Sequence, residues 1–287
     1  MLRPELDEPA GLLPVIGPVE PSALHVMSFN LRNAGVHNPD PWPGRRPVAS
    51  RLLRAERPTI IGTQEGLYQQ VREVAADLPE EYDWIGTGRE GGSRGEFMAI
   101  FFDTGRLEPL AFDHFWLSDT PDVVGSATWG NQVVRMATWV RFLDRRTQKR
   151  FVVLNTHLDH AVGEAQQRGA ELLVERLTGL AAEDPVIVTG DFNVAAESSS
   201  PYRTLVEGAE LADSWLTTAE RQTPTVATFH GYRDAVPDGD RIDWILVRPD
   251  IRVKRAAINT YYARPIGADD AAWASDHWPV QAVVELP

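Results

Sequence analysis

The sequence predicts an α/β fold, and three observations support this class. Short apolar runs of strand length, rich in β-branched residues, recur along the chain, and helical patterns with one apolar face separate several of them. The chain of 287 residues is long enough to bury one large core. The sequence contains no low-complexity linker that would divide it. We therefore predict an irregular N-terminal arm over residues 1–22 and a single domain over residues 23–287.

The elements of the first half follow from local signals. Residues 1–22 are rich in proline and acidic side chains, which disfavours regular structure. The pattern at 45–57 places several apolar side chains on one helical face, and Pro58 ends it. Strands are predicted at 25–30, 59–64, 83–86, 96–102, 112–117 and 135–142, and helices at 45–57 and 69–78.

The second half contains the clearest strands. The run 150–157 is strongly apolar and ends at His157. The run 186–189 is expected to stop at Gly190, because glycine frees the backbone to turn sharply. Further strands are predicted at 241–247, 253–260 and 280–286, with helices at 162–180 and 205–211.

The composition narrows the chemistry that is possible. The chain has no cysteine, so disulfides and thiolate ligands are excluded, and a bound metal would need oxygen ligands or histidine. Such ligands favour a hard cation, Mg²⁺ or Mn²⁺. The formal net charge of −13 disfavours non-specific binding of long duplex nucleic acid, which depends on many Lys and Arg contacts to phosphates. A smaller or less anionic partner is expected.

The N-terminal residues lack the features of a secretory signal. A basic region followed by an apolar segment is missing, and no apolar run approaches the ~20 residues needed to cross a bilayer. We therefore expect no transmembrane segment and a cytoplasmic location. The absence of cysteine is compatible with this location.

Polar residues lie at the ends of the predicted strands. In an α/β protein such residues converge on one rim of the sheet, where ligands bind. Asp191 and Asn193 are two residues apart, and in an extended segment this spacing puts both side chains on one face. The six sites are Asn30, Glu65, His157 and Asp191/Asn193 after strands, and Asp243 and Asp276-His277 before strands.

Each of these sites also has a local structural explanation. The alternatives are a turn at Asn30, a helix cap at Glu65, a core histidine at His157, an Asx turn at Asp191 and Asn193, an ion pair of Asp243 with Arg241, and a turn at Asp276. All six arising by coincidence in one chain is the weaker interpretation. We therefore favour one polar site that binds a metal or a phosphate.

The motifs around these residues occur in a distinctive order. They are Ser28-Phe29-Asn30, Gln64-Glu65, Asn155-Thr156-His157, Gly190-Asp191-Phe192-Asn193, Arg241-Ile242-Asp243 and Ser275-Asp276-His277-Trp278-Pro279-Val280. In this order they resemble the endonuclease/exonuclease/phosphatase superfamily, over roughly residues 24–287. The resemblance implies a four-layer α/β sandwich, in which two mixed β-sheets pack face to face with helices outside.

The resemblance also implies a metal site. Glu65 would be the principal Mg²⁺ ligand, with Asn30 and Asp276 close by in the metal shell. Mg²⁺ prefers one or two carboxylates together with waters and substrate oxygens, which suits so few acidic ligands. Mn²⁺ is a possible substitute.

The remaining residues would carry the chemistry of phosphate-ester hydrolysis. By resemblance, Asp191 would orient and deprotonate the attacking water, and Asn193 would hold the phosphate. His157 would donate to a phosphate oxygen, and Asp243 and His277 would form a carboxylate–imidazole pair.

The chain departs from the nuclease members of this superfamily. These members often have an acidic residue two positions after the first-strand Asn, where this chain has Arg32. Arg32 could place a guanidinium near the substrate phosphate or be a surface charge. The loops expected around the site carry aromatic residues that could stack on a base or a sugar, or pack within the loops: Trp42, Trp129, Tyr232 and Trp273.

We expect a Mg²⁺-dependent phosphoesterase that hydrolyses a phosphodiester or phosphomonoester, with a small phosphate ester as its substrate. One alternative within enzymes is a nuclease acting on DNA or RNA. An alternative from a different class is a non-catalytic module that binds a phosphorylated ligand.

Overall fold

Fifteen strands and five helices make up the described part of the computed structural model, which covers residues 12–35, 40–182, 184–263 and 272–287. The strands are β1 (Ala23–Asn30), β2 (Ile60–Gln64), β3 (Gly66–Leu67), β4 (Tyr82–Ile85), β5 (Glu96–Phe97), β6 (Ile100–Asp103), β7 (Leu107–Trp116), β8 (Met136–Asp144), β9 (Lys149–His157), β10 (Val186–Asp191), β11 (Ala212–Asp213), β12 (Glu220–Arg221), β13 (Asp243–Val247), β14 (Arg252–Ile258) and β15 (Val280–Glu285). The helices are α1 (Trp42–Glu56), α2 (Tyr68–Asp77), α3 (Gly163–Ala181), α4 (Ser200–Gly208) and α5 (Ser214–Thr217).

Two large mixed sheets contain most of the strands. The first has the spatial order β12-β14-β15-β1-β2-β6-β4, and the second has the order β11-β13-β10-β9-β8-β7. In the first sheet β1 pairs in parallel with β2 and antiparallel with β15. In the second sheet β10 pairs in parallel with β9 and antiparallel with β13. Each sheet therefore has a central strand with one parallel and one antiparallel neighbour.

The main core lies between the two sheets. Val26 and Ile60 of the first sheet belong to the same buried cluster as Val153 and Ile187 of the second. On the outer faces, α1 and α2 share a buried cluster with the first sheet, and α3 and α4 share one with the second. The predicted four-layer α/β sandwich is confirmed.

A buried polar contact joins the sheets close to the strand ends. Asn155 Oδ1 on β9 accepts hydrogen bonds from Gln64 Nε2 on β2, at 2.7 Å, and from Thr189 Oγ1 on β10, at 3.1 Å. The Asn155 amide donates to the Thr63 carbonyl at 2.8 Å. A satisfied polar network of this kind fixes the relative position of the two sheets better than apolar packing alone.

Every predicted strand and helix overlaps an observed one, but several bounds differ. The predicted strand 96–102 is two strands, because the chain changes partner from β3 to β2 between them. The helix predicted at 205–211 begins earlier, where the Ser199 hydroxyl accepts a hydrogen bond from the Tyr202 N–H at 3.4 Å. The strand predicted at 241–247 begins only at Asp243.

The expectation that Gly190 ends its strand was wrong. β10 continues through Gly190 to Asp191. A Cβ atom at position 190 would lie 2.8 Å from the Thr156 carbonyl oxygen, so glycine allows β9 and β10 to approach closely. The consequence is that Asp191 is held by a strand ladder and not by a flexible turn.

Residues 12–22 have no helix or strand, and part of this segment is anchored to α1. The buried Glu56 carboxylate accepts backbone N–H bonds from Val15, Ile16 and Gly17 at 2.6–3.1 Å. The rest of the predicted arm, residues 1–11, lies outside the described residues. Within the described part of the chain, no helix has the length and apolar character that a membrane span requires.

Candidate active site

The sheet register brings the strand ends to one rim. Asp191 lies opposite His157 in the parallel pair β9–β10 and opposite Asp243 in the antiparallel pair β10–β13. In the other sheet, Asn30 at the end of β1 lies opposite Gln64, directly before Glu65. The Asn30 amide nitrogen donates to Asp191 Oδ2 across the two sheets at 2.9 Å. The predicted convergence of strand-end residues is therefore present in the structure.

The turn after β10 differs from the extended segment that we expected. Asn193 has a left-handed backbone with φ of 54°, and its N–H donates to Asp191 Oδ1 at 3.0 Å. This is the Asx turn that was the local structural explanation for these two residues, and it describes their backbone correctly. Asp191 and Asn193 nevertheless line the same pocket, because the turn aims Asn193 back towards His157, with 2.8 Å between Asn193 Nδ2 and His157 Nε2.

A compact group of donors could hold a metal ion. Glu65, His157 and Asp191 each offer one ligand atom, and these three atoms lie within 4.8 Å of one another. Asn30 Nδ2 donates to Glu65 Oε1 at 3.1 Å, and Asn33 donates to Glu65 Oε2. Carboxylate oxygens with one imidazole fit a hard divalent cation.

Asp276, the third predicted metal residue, contacts the same Arg32 guanidinium that contacts Glu65. Its Oδ2 atom is 3.5 Å from Arg32 Nε, and Arg32 Nη1 is 3.5 Å from Glu65 Oε2. Burial raises the pKa of Asp276. Arg32 therefore belongs to the site and is not merely a surface charge.

Asp243 and His277 form a buried pair. His277 Nδ1 lies 2.9 Å from Asp243 Oδ2, and His277 Nε2 lies 3.8 Å from Asp191 Oδ2. Burial alone would lower the pKa of His277, but the carboxylates of Asp243 and Asp191 outweigh burial and raise it to about 10. His277 is therefore an imidazolium at neutral pH. The alternative pairing of Asp243 with Arg241 is absent, since Arg241 binds Asp213 at 2.8 Å.

Asp191 and His157 differ from His277, because burial shifts their pKa values towards the uncharged form of each side chain. Burial, with a contribution from Asp243, raises the pKa of Asp191 to about 7. Burial and the nearby Arg135 hold the pKa of His157 well below its usual value, so this imidazole is neutral. A carboxylate that titrates near neutral pH is suited to accept a proton from water.

Most of these residues, but not Asn30 or Asp243, line one cavity of about 410 Å³, together with residues that the sequence interpretation missed. Arg135 is only 5% exposed; its Nη2 lies 3.1 Å from His160 Nδ1. Its Nε and Nη1 have no hydrogen-bond partner among the described residues. The other missed residues of the lining are Asn33, Arg89, Glu96, Val133, His160, Phe229 and Ile242.

A sequence signal for Arg135 was available. The residue directly precedes β8, at the end of a strand like the other polar residues of the site, although the sequence prediction placed it inside a strand at 135–142. The aromatic loop residues that the sequence suggested for ligand stacking do not border the cavity. Trp42, Trp129 and Trp273 are buried, so they pack within the protein, and it is the half-exposed Phe229 that borders the cavity.

The comparisons with known proteins agree with this geometry. A sequence model of the endonuclease/exonuclease/phosphatase family matches residues 27–277. The chain belongs to this family. The match includes most of the strand-end motifs and extends over most of the chain, so the resemblance noted from the motifs is confirmed.

Solved structures of the family resemble most of the chain. An endonuclease/exonuclease/phosphatase family protein from Bacteroides thetaiotaomicron is 33% identical, with a TM-score of 0.85 over 94% of this chain and 100% of that chain. A mannosyl-6-phosphatase from Bacteroides thetaiotaomicron VPI-5482 is 34% identical, with a TM-score of 0.83 over 92% of this chain and 99% of that chain. Members of this family are phosphoesterases and nucleases, and they depend on divalent metals. This chain is therefore a member of a family of metal-dependent hydrolases.

A curated relative is an uncharacterized protein of Acanthamoeba polyphaga mimivirus. It is 32% identical over 179 residues, which are 59% of this chain. The matched segment spans 66% of that relative's length, just under two thirds.

Proposed function

We propose that this chain is a Mg²⁺-dependent phosphoesterase that hydrolyses a small phosphate ester. The observation that carries the proposal is the position of Asp191, a carboxyl with a pKa raised to about 7, between Glu65 and the imidazolium of His277. This arrangement supports roles for a base, cation-binding oxygens and a proton donor around one cavity of about 410 Å³. Mn²⁺ would fit the same donors.

The donor set supports the assignment of a hard cation. Glu65 would hold the metal directly, and Asp276 would join the shell on the side of Arg32. Asp191 and His157 each offer an atom within 4.8 Å of the Glu65 ligand atom. Asn30 donates its amide to both Glu65 and Asp191, so its role in this geometry is to orient the two carboxylates. A bound Mg²⁺ would supply a Lewis acid that neutralises phosphoryl charge.

The protein groups divide the proton transfers and the charge between them. Asp191 accepts a proton from water as the water oxygen forms its bond to phosphorus and the ester P–O bond breaks. The oxygens of the phosphoryl group gain charge, and they are stabilised by donors from Asn193, His277 and Arg135. Asp243 keeps His277 charged and fixes its orientation. The leaving oxygen takes its proton from His277 or from water.

A phosphomonoester of a sugar is the substrate class that we test first. The mannosyl-6-phosphatase from Bacteroides thetaiotaomicron VPI-5482 shares 34% identity and nearly its whole length with this chain. The chain's net charge of −13 disfavours a long polyanion. The half-exposed Phe229 at the cavity edge, with its ring centroid 5.0 Å from that of His277, offers an apolar surface for a sugar ring.

The test is a metal-dependent activity screen. Purified protein with Mg²⁺ or Mn²⁺ is assayed for phosphate release from hexose 6-phosphates, a nitrophenyl phosphodiester and a DNA or RNA oligonucleotide, with EDTA as the control. We expect EDTA-sensitive turnover of sugar phosphates and loss of turnover in Asp191→Ala. Turnover of oligonucleotides alone would favour a nuclease, and tight phosphate binding without turnover of any compound would favour a binding module.

A further inference from the structure

Arg32 has a fixed backbone and a side chain that reaches two carboxylates. Its φ is 50°, in the left-handed region, and its N–H donates to Asn30 Oδ1 at 2.8 Å. Its carbonyl oxygen accepts hydrogen bonds from Arg45 Nη2 at 2.7 Å and from Gln70 Nε2 at 3.0 Å. The position of the Arg32 backbone is therefore set by neighbouring residues and does not depend on where its guanidinium lies.

The guanidinium lies between two carboxylates that come from distant parts of the chain. Its Nη1 is 3.5 Å from Glu65 Oε2, and its Nε is 3.5 Å from Asp276 Oδ2. Charge-assisted hydrogen bonds of arginine are usually about 2.7–2.9 Å long. These longer ion pairs neutralise the carboxylates without the tight geometry of a bidentate bond, and the Arg32 side chain remains 36% exposed.

We propose that Arg32 is a built-in counter-ion that competes with the divalent cation for Glu65 and Asp276 and thereby weakens cation binding. The inference rests on the proposed function, because it takes these two carboxylates as part of the metal site. A cation that binds both of them must displace the guanidinium. The side chain is 36% exposed and lines the cavity, so displacement from the two carboxylates would leave it beside the space that an anionic substrate occupies.

The competition follows from electrostatics alone. Two carboxylates close together repel each other, and a cation between them relieves that repulsion. Arg32 supplies one positive charge at this place, and a divalent ion supplies two with direct coordination. Removing the guanidinium removes the competitor and leaves the oxygen ligands unchanged, so the affinity for the ion rises.

The test measures binding of Mn²⁺ alone by calorimetry, in wild type, Arg32→Gln, Arg32→Lys and Arg89→Gln. Arg89 borders the same cavity but pairs with Glu96, so its variant removes one charge without removing the competitor. Because partly exposed ion pairs contribute modestly, we expect Arg32→Gln to bind Mn²⁺ roughly tenfold more tightly than wild type. Arg32→Lys should lie between them, since an ammonium group on a shorter reach does not span both carboxylates.

The outcomes separate this inference from the proposed function. Equal affinity in wild type and Arg32→Gln, or an equal gain in Arg89→Gln, overturns the competition and leaves the metal site intact. No Mn²⁺ binding by any of the proteins overturns the metal site itself. Thermal unfolding of each variant establishes that it is folded before the titration is interpreted.

Discussion

Asp243 Oδ2 and His277 Nδ1 lie 2.9 Å apart, both side chains are buried, and this pair sets the charge of His277 in the candidate active site. The two residues are 34 positions apart: Asp243 begins β13 of the second sheet, and His277 lies in the segment before β15 of the first. The pair holds His277 as an imidazolium whose other nitrogen faces Asp191.

The first prediction concerns Asp243→Asn. Without the carboxylate, the pKa of His277 falls from about 10, because Asp243 is the strongest of the groups that oppose the effect of burial. We expect turnover to fall by roughly 100-fold at pH 7.5, as is typical when a positioned acid or base is lost. Steady-state kinetics measure the loss, and NMR titration of the histidines measures the pKa.

The matched control is Asp113→Asn, which removes an exposed carboxylate on β7 away from the cavity. It should leave both readouts unchanged. If Asp243→Asn keeps wild-type turnover while the pKa of His277 falls, the imidazolium has no part in the reaction.

The second prediction is a pH dependence of stability through Asp191. Its pKa is raised from 3.8 to about 7, so between these values the folded state retains a proton that the unfolded state has released. Stability from this group is therefore present at low pH and declines as the pH rises through about 7. Asp191→Asn removes this decline, because its amide does not ionise.

Urea unfolding at pH 5 and pH 8 measures this effect. We expect the free energy of unfolding of Asp191→Asn to exceed that of wild type by more at pH 8 than at pH 5. A difference that does not change with pH would show that Asp191 ionises normally in the folded protein. Divalent cations are omitted and EDTA is added, so that cation binding does not contribute.

The third prediction concerns Arg135→Gln. This buried guanidinium has two nitrogens without partners in the described structure and lines the cavity, so we expect it to bind the substrate phosphate. A hydrogen bond to a charged group contributes about 1.5–3 kcal/mol, which predicts roughly a 10- to 100-fold loss of kcat/KM. The same variant should unfold at a higher temperature, since burial of the guanidinium is unfavourable.

Arg176→Gln is the control for Arg135→Gln. Arg176 pairs with Asp122 on the protein surface and does not border the cavity, so its variant should keep wild-type kinetics. Loss of kcat/KM together with a lower unfolding temperature in Arg135→Gln would indicate a structural role and contradict the prediction.

The fourth prediction concerns Gly62→Ala at the contact between the sheets. A Cβ atom at position 62 would lie 2.1 Å from Thr189 Oγ1 and 2.9 Å from Asn155 Oδ1. The added methyl group must displace this hydrogen-bonded contact, and overpacking of this kind costs about 1–3 kcal/mol. Urea unfolding should show that loss, and kcat should fall as well, because β2 positions Glu65 relative to Asp191.

Gly179→Ala in α3 is a suitable comparison, because nothing lies within 4 Å of the Cβ that it would add. Alanine favours a helix over glycine, so this variant should be as stable as wild type or more stable. Equal stability of Gly62→Ala and wild type would mean that the sheets adjust to the methyl group without cost.

Local patterns predicted the secondary structure correctly wherever the conformation of an element depends mainly on its own residues. The strand β9 and the helix α3 follow from their runs and periodicity. The errors occur where contacts with another segment determine the conformation. The predicted strand 96–102 splits because β5 and β6 have different partners, and Gly190 continues its strand because β9 lies close beside it. No local pattern contains that information.

For the candidate site, the sequence identified residue types and their places at strand ends, but its reasons were partly wrong. Asp191 and Asn193 share the cavity through an Asx turn and not through extended spacing. Arg135 and Phe229 were missed because neither belongs to a motif that the interpretation used. Whether a polar residue is buried, and beside which charge, depends on segments distant in sequence.

The sequence by itself determined the α/β class, the family and the strand-end residues Glu65, His157 and Asp191, because short-range patterns and motifs encode strands and the residues that follow them. Only the tertiary structure decided which charges meet. The pairing of His277 with Asp243 was already expected from the family motifs, but the structure put Arg32 between Glu65 and Asp276 and brought Arg135 to the same cavity. The physical reason is that electrostatic energy depends on distance and burial in three dimensions, and the packing of two sheets sets both.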